Sequence, residues 1–193
     1  KYSKIGYKKG MIKTWEDFRK LPLLYKEELI EGFPYEIAKS VENFNLSTRS
    51  SGSSGKFVTL SLSLDAIYTD TIQGVRQLML QSGDNYKPDD TTLFIYTLPW
   101  WIRNIDGKYR QDFLPTTSSV EEVIKKLEEI HPKIISTYPT YLTKMAPYGI
   151  DLKNYGVELV IVHSEQSTRQ SRDMLEKALN VKVLDEYSSE ELT

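Results

Sequence analysis

The 193-residue chain contains no cysteine. Disulfides, thiolate nucleophiles and cysteine-ligated metals are therefore excluded, and the composition fits a reducing compartment, here expected to be the cytoplasm. Histidine is almost as scarce. His131 and His163 are the only two, no spaced carboxylate set accompanies them, and two histidines do not build a zinc site. A large net charge is missing as well: 25 Lys and Arg face 27 Asp and Glu, leaving −2. That balance points away from nucleic acid and from an acidic membrane surface as partners. No apolar run approaches the roughly 20 residues of a membrane span. Lys1-Tyr2-Ser3-Lys4 lacks the apolar stretch of a signal peptide. No methionine opens the chain, so the expectation is a start inside a longer protein.

What is present is ordinary for a globular domain: 39% hydrophobic and 27% charged residues, enough to bury a core without staples. Residues 1–13 read as a polar, basic lead-in, with 14–193 as one domain. Thr14-Trp15-Glu16-Asp17-Phe18 has a threonine cap and acids in a first helical turn, and Leu21-Pro22 breaks it. Lys26 to Glu31 reads as a second short helix. Phe57 to Leu64 alternates apolar and hydroxyl residues, the pattern of a half-buried strand. Asp65 to Gln81 reads as a long helix, with Ile67, Ile72, Val75, Leu78 and Met79 near one face, ended by Gly83.

From Thr92 onward strands alternate with helices: strands at 92–96, 133–136, 157–162 and 181–184, helices at 120–131, 139–146 and from a Ser167 or Thr168 cap to Leu179. That alternation is the signature of βαβ units, so the expected class is α/β, a parallel or mixed sheet flanked by helices. Ligands of such sheets bind beyond the carboxyl ends of the strands. Three segments fall there: Tyr96 to Trp100, His163-Ser164-Glu165, and Asp185 to Glu191.

The densest chemical signal is Ser47-Thr48-Arg49-Ser50-Ser51-Gly52-Ser53-Ser54-Gly55-Lys56. Glycine permits φ > 0 and close approach of the backbone, successive N–H groups form an anion-binding concavity, and serine and lysine add donors and charge. The physical reading is a phosphate cradle; a flexible linker is the alternative. The nucleoside-triphosphatase loop is excluded, because Ser50 stands where its first glycine belongs and Phe57 where its magnesium-binding hydroxyl belongs. At the other end, Tyr187-Ser188-Ser189-Glu190-Glu191 offers an aromatic face, hydroxyls and carboxylates, suited to a nucleotide with magnesium or else to a solvated acidic turn. No G-x-S-x-G nucleophile elbow occurs.

The loop S-S-G-S-S-G-K resembles the signature [ST]-S-G-[ST]-[ST]-G-x-[PK] of the adenylate-forming enzymes, most of all the phenylacetate–coenzyme A ligase-like branch. Leu21-Pro22-Leu23 before a lysine-led helix is similar to that branch's L-P-x-x-[TS]-K, with Tyr25 replacing the hydroxyl residue. Asp185, Tyr187 and Glu191 match the family's aspartate-ended strand and Y-G-x-[TS]-E. Ser188 replaces its glycine, and Glu190 replaces the hydroxyl that touches phosphate. Ser164-Glu165 matches G-[AGS]-E, His163 replacing the glycine, and the segment from Ser136 to Leu142 resembles the family's proline turn.

The resemblance covers about Trp15 to Glu191 and implies the N-terminal subdomain of the adenylate-forming fold. It implies that Ser50, Ser51, Gly52, Ser53, Ser54, Gly55 and Lys56 hold the triphosphate of ATP. Ser164, Glu165, Tyr187 and Ser188 would border the nucleotide and Glu191 would bind Mg²⁺, which makes Lys56 and Glu191 the catalytic candidates. The implied reaction activates a small carboxylic acid as an acyl-adenylate and passes the acyl group to a thiol, coenzyme A or a carrier protein. Trp100 and Trp101 would wall the acyl pocket. An expected mobile C-terminal lid with its catalytic lysine has no counterpart before Thr193. Two alternatives stay open: a nucleotide-binding or interaction module of the same fold without turnover, and a purely structural α/β domain.

Overall fold

The structure, a computed structural model, describes residues 2–33, 46–49, 55, 57–99 and 103–187. The chain divides into two compact units, Lys1–Leu62 and Ser63–Thr193.

In the first unit, part of the lead-in, Tyr2–Ile5, forms a 3-10 turn. The Tyr2 hydroxyl donates to the Pro22 carbonyl at 3.4 Å, and the Tyr7 hydroxyl to that of Lys20 at 3.3 Å. Helix α1 (Trp15–Arg19) starts in a reciprocal cap: Thr14 Oγ1 accepts from the Asp17 N–H at 3.2 Å, and Asp17 Oδ2 accepts from the Thr14 N–H at 3.1 Å. Pro22 follows, and helix α2 (Lys26–Gly32) resumes with Glu28 Oε2 accepting from the Tyr25 N–H at 2.9 Å. Strands β1 (Leu46–Arg49) and β2 (Thr59–Leu62) pair antiparallel, Leu46 opposite Leu62 and Arg49 opposite Thr59. Ser47, Thr48 and Arg49, expected in the loop, are thus ladder residues. The strand expected over 57–64 ends at Leu62, because Ser63 turns to cap the next helix.

The second unit opens with α3 (Leu64–Gln81), whose Ala66 N–H is capped by Ser63 Oγ at 3.1 Å. Its buried face is Ile67, Thr71, Val75 and Leu78. Ile72, expected on that face, is 44% exposed. Five residues past Ile67 is about 140° round the helix, whereas four is nearly in line. Thr71 takes the inner position, and its hydroxyl donates to the Ile67 carbonyl at 2.8 Å, so the buried oxygen is satisfied.

The sheet is built from β3 (Thr91–Tyr96), β4 (Arg110–Pro115), β5 (Ile134–Thr137), β6 (Leu159–His163) and β7 (Lys182–Glu186). Its spatial order is β4-β3-β5-β6-β7, every pair parallel. Helices α4 (Val120–Ile130), α5 (Pro139–Met145) and α6 (Arg169–Leu179) connect the strands from β4 onward. The fold class expected from sequence is the one observed. Strand β4 was not expected. Arg110-Gln111-Asp112 interrupts any apolar pattern and Pro115 ends it, features that an edge strand tolerates because only one side of it pairs.

Alternation along the strands sorts the core into two faces. Leu93, Ile95, Ile135, Val160, Val162 and Val183 pack with Val123, Leu127, Leu142, Leu175 and Leu179 of α4, α5 and α6. On the other face Ile134, Leu159 and Ile161 pack with Val75 and Leu78 of α3, joined by Tyr86, Ile105 and Tyr109. Ile105 and Tyr109, in the described part of the link from β3 to β4, therefore lie on the α3 face, while the helices linking β4 to β7 lie on the opposite face. Right-handed crossovers require that split, since the first link moves one way along the sheet and the rest move the other. The direction reverses between β3 and β5, so the crevice beyond their carboxyl ends is the topological switch point.

Candidate functional site

At that switch point the α3 face of the sheet ends in polar and aromatic side chains. The Tyr96 hydroxyl of β3 and Ser136 Oγ of β5 are 2.6 Å apart. Tyr138, one residue past β5, stacks at 5.7 Å from the Tyr96 ring, and its hydroxyl is 3.4 Å from Thr97 Oγ1. His163 closes β6 with its ring edge-on to Tyr96 at 4.7 Å and 5.3 Å from Tyr138. Glu186 stands opposite His163 in the β6–β7 register and accepts from Gln81 Nε2 of α3 at 2.9 Å. Four strand ends and one helix end thus supply one cluster.

Burial governs its electrostatics. Desolvation pushes the Tyr96 phenol far above its usual 10, against the hydrogen bond to Ser136, which favours the ionised form. Desolvation also lowers the His163 pKa below 6.5, and the Glu186 and Glu165 carboxylates oppose it only partly. His163 is therefore a neutral imidazole at pH 7. Its Nδ1 lies 2.7 Å from Ser164 Oγ, and its Nε2 has no partner among the described residues.

The turn after β6 carries two of the residues singled out in the sequence. Ser164 sits in the left-handed region at φ +63. A non-glycine residue there costs on the order of 1–2 kcal/mol. Glu165 helps hold that turn: its carboxylate accepts from the Thr140 N–H at 3.0 Å and from Thr140 Oγ1 at 2.9 Å, tying the end of β6 to α5. Asp185 pairs with Arg172 Nη1 of α6 at 3.0 Å. Tyr187 follows β7 with its ring exposed. Pro139 occupies the first turn of α5 as expected. His131 is the left-handed cap of α4, φ +42.

Of the loop, Gly55 is described: it is exposed and has φ +79, a conformation glycine adopts without strain. Ser50, Ser51, Gly52, Ser53, Ser54 and Lys56 lie outside the described residues, as do Trp100, Trp101, Ser188, Glu190 and Glu191. Strands β1 and β2, which flank the Ser/Gly stretch in sequence, pair antiparallel. Among the described residues no three His, Asp or Glu side chains converge on a point that would hold a metal. Among the described residues, too, no helix is long and apolar enough to cross a membrane. Gln81 gave no sequence signal, because only the register of α3 against β7 brings it to Glu186.

No family model and no curated protein matches the chain. Solved structures do. A 2-hydroxyisobutyryl-CoA ligase superposes with TM-score 0.73 in an open conformation holding 2-HIB-AMP and CoA, and with 0.74 in a postadenylation state. Sequence identity is 17%, and 96% and 100% of this chain are covered. The O-succinylbenzoate coenzyme A synthetase of Bacillus subtilis, in complex with AMP, gives TM-score 0.58 at 15% identity over 75% of this chain. The fold is that of the adenylate-forming enzymes. The chain spans 47% and 44% of the two ligase chains and 30% of the synthetase.

Proposed function

We propose that the chain is part of an ATP-dependent acid–thiol ligase. A carboxylate oxygen of the substrate attacks the α-phosphorus of ATP, the bond to the bridging oxygen breaks, and acyl-adenylate and pyrophosphate result. A thiol, from coenzyme A or a carrier protein, then takes the acyl group and releases AMP. The observation that carries this reading is a Ser/Gly loop ending in Lys56, strung between two paired strands in a chain with the adenylate-forming fold.

In this reading the backbone amides and hydroxyls of residues 50–55 and the Lys56 ammonium bind the triphosphate, holding its charge and aligning the α-phosphorus for attack. Ser164, Glu165, Tyr187 and Ser188 border the adenosine, and Glu191 holds the Mg²⁺ that accompanies ATP. Glu190 favours a second reading, a nucleotide-binding module without turnover, because it places a carboxylate where the family has a phosphate-touching hydroxyl. ATP–pyrophosphate exchange over a panel of carboxylic acids, in the natural polypeptide that carries this chain, separates the two. Exchange is expected with at least one acid, lost in Glu191→Gln and kept in Glu190→Thr. Saturable ATP binding with no exchange for any acid would favour the module.

A further inference from the structure

Two buried polar atoms at the carboxyl end of the sheet have no hydrogen-bond partner among the described residues: His163 Nε2 and Gln81 Oε1. Leaving a buried polar group unpaired is costly, so each calls for an occupant. His163 is only 9% exposed. Glu186 lies next to both positions. Gln81 Nε2 donates to Glu186 Oε2 at 2.9 Å, and Glu186 stands beside His163 across the β6–β7 pairing. The contact to Glu186 also fixes the orientation of the amide. A carboxylate only accepts, so the Gln81 NH₂ faces it and the carbonyl oxygen is the atom left over.

The chemistry of the missing group follows from the three residues. Gln81 Oε1 accepts and never donates, so the occupant carries a donor. His163 is neutral, and its Nε2 donates or accepts according to which role Nδ1 takes toward Ser164 Oγ, 2.7 Å away. A hydroxyl that donates to Gln81 Oε1 can still accept from a donating Nε2, while an amino group has enough N–H bonds to donate to Gln81 and to an accepting Nε2. The Glu186 carboxylate beside them favours a donor and repels an anion. The rings of Tyr96 and Tyr138 against His163 hold its imidazole in place.

We infer that Gln81 and His163 form a specificity subsite for a hydrogen-bond donor, a hydroxyl or amino group, borne on the tail of the acid substrate. A plain hydrocarbon tail leaves both atoms unpaired, and a second carboxylate meets Glu186. This inference rests on the reading of the sheet edge as the place of acid activation, and it adds the class of acid.

The test uses the natural polypeptide carrying this chain and matched trios of equal length: propanoic, lactic and 3-aminopropanoic acid, then phenylacetic, 4-hydroxyphenylacetic and 4-aminophenylacetic acid. Binding is read by calorimetry and by the ¹⁵N shift of the His163 ring, and activation by ATP–pyrophosphate exchange. A hydroxy or amino member is expected to exceed its hydrocarbon parent by at least about 10²-fold, rising toward the roughly 10⁴-fold of a fully built hydrogen-bonding site. Gln81→Leu and His163→Phe are expected to remove that preference, and His163→Gln to restore part of it. Should His163→Phe not fold, Gln81→Leu carries the test alone. Exchange that is equal across each trio and unmoved by Gln81→Leu would mean that water satisfies both atoms; the subsite fails while acid activation stands. Preferential binding with a His163 shift, but no exchange for any acid, upholds the subsite and rejects activation. Neither preference nor exchange rejects both.

Discussion

Helix α1, in the first unit, buries no side chain and α2 buries only Gly32, whereas the second unit buries an apolar cluster on each face of its sheet. The contrast is one of length and pairing. Helices of five and seven residues present too little surface to form a stable core alone, and a two-stranded hairpin is marginal by itself. Five strands with helices on both faces bury Leu93, Ile95, Leu127, Ile135 and Leu142 completely. Most of the described apolar burial therefore lies in residues 63–193, with Val58 a fully buried side chain of the first unit, while the stretch proposed to bind the triphosphate lies within residues 1–62. Stability and nucleotide binding should separate by mutation.

The largest effect expected is on the core. Leu142→Ala removes a side chain with no exposed surface, and the loss should be about 2–5 kcal/mol. Trp15, 72% exposed, packs edge-to-face on Phe18 at 5.6 Å, and Trp15→Ala should stay within about 0.5 kcal/mol. Urea midpoints of the two variants check this. Equal losses would mean that α1 belongs to the same cooperative unit as the sheet.

Lys56→Ala should show the reverse pattern. A charge-assisted contact to phosphate is worth on the order of 1.5–3 kcal/mol, so ATP binding should weaken by that amount with the urea midpoint unchanged. AMP lacks the β- and γ-phosphates and should bind almost as before. Calorimetry with both nucleotides decides, and equal losses would remove Lys56 from the triphosphate.

A smaller effect distinguishes two caps of the same chemistry. Ser119 Oγ accepts from the Glu122 N–H at 3.2 Å, and Glu122 Oε2 accepts from the Ser119 N–H at 2.7 Å. Ser119→Ala frees the Glu122 N–H at the head of a helix that packs on the sheet, and should cost about 1 kcal/mol. The equivalent box at Thr14 heads α1, which buries nothing, so Thr14→Ala should leave the global midpoint in place and raise amide exchange only in α1.

These caps were legible in the sequence because Thr14, Ser119 and Thr168 each act on residues within one turn. The parallel sheet was legible for the same reason: β5 and β6 are short apolar runs bounded by Pro or Gly. What escaped depends on distant partners. Strand β4 is a strand only because β3 pairs with it in register, from Thr91 opposite Arg110 to Tyr96 opposite Pro115. Ile72 and Thr71 exchanged roles because helix phase, not hydrophobicity, chose the inner residue. The site was half readable. Its position beyond the strand ends followed from the alternation of elements, but the contacts of Gln81 with Glu186 and of Glu165 with Thr140 join residues far apart in sequence. No local pattern encodes them.

The smallest effect expected is a pH dependence confined to the second unit, since residues 1–62 contain no histidine. Burial holds the His163 pKa below the 6.5 of an unfolded chain, with Glu186 and Glu165 pulling the other way. Between the folded value and 6.5, the unfolded chain binds the proton that the native protein refuses. Stability should therefore be full above pH 6.5 and fall as the pH drops through that window, levelling off below the folded value. His163→Phe keeps an aromatic ring beside Tyr96 and Tyr138 and takes no proton. Its urea midpoint should change less than that of the wild type from pH 7 to pH 5, with the two curves converging toward acid. A wild-type midpoint that rises on acidification would instead mean that the Glu186 and Glu165 charges outweigh burial and that the native cluster welcomes an imidazolium. The donor-seeking subsite would then have to be read as one that already carries its own proton.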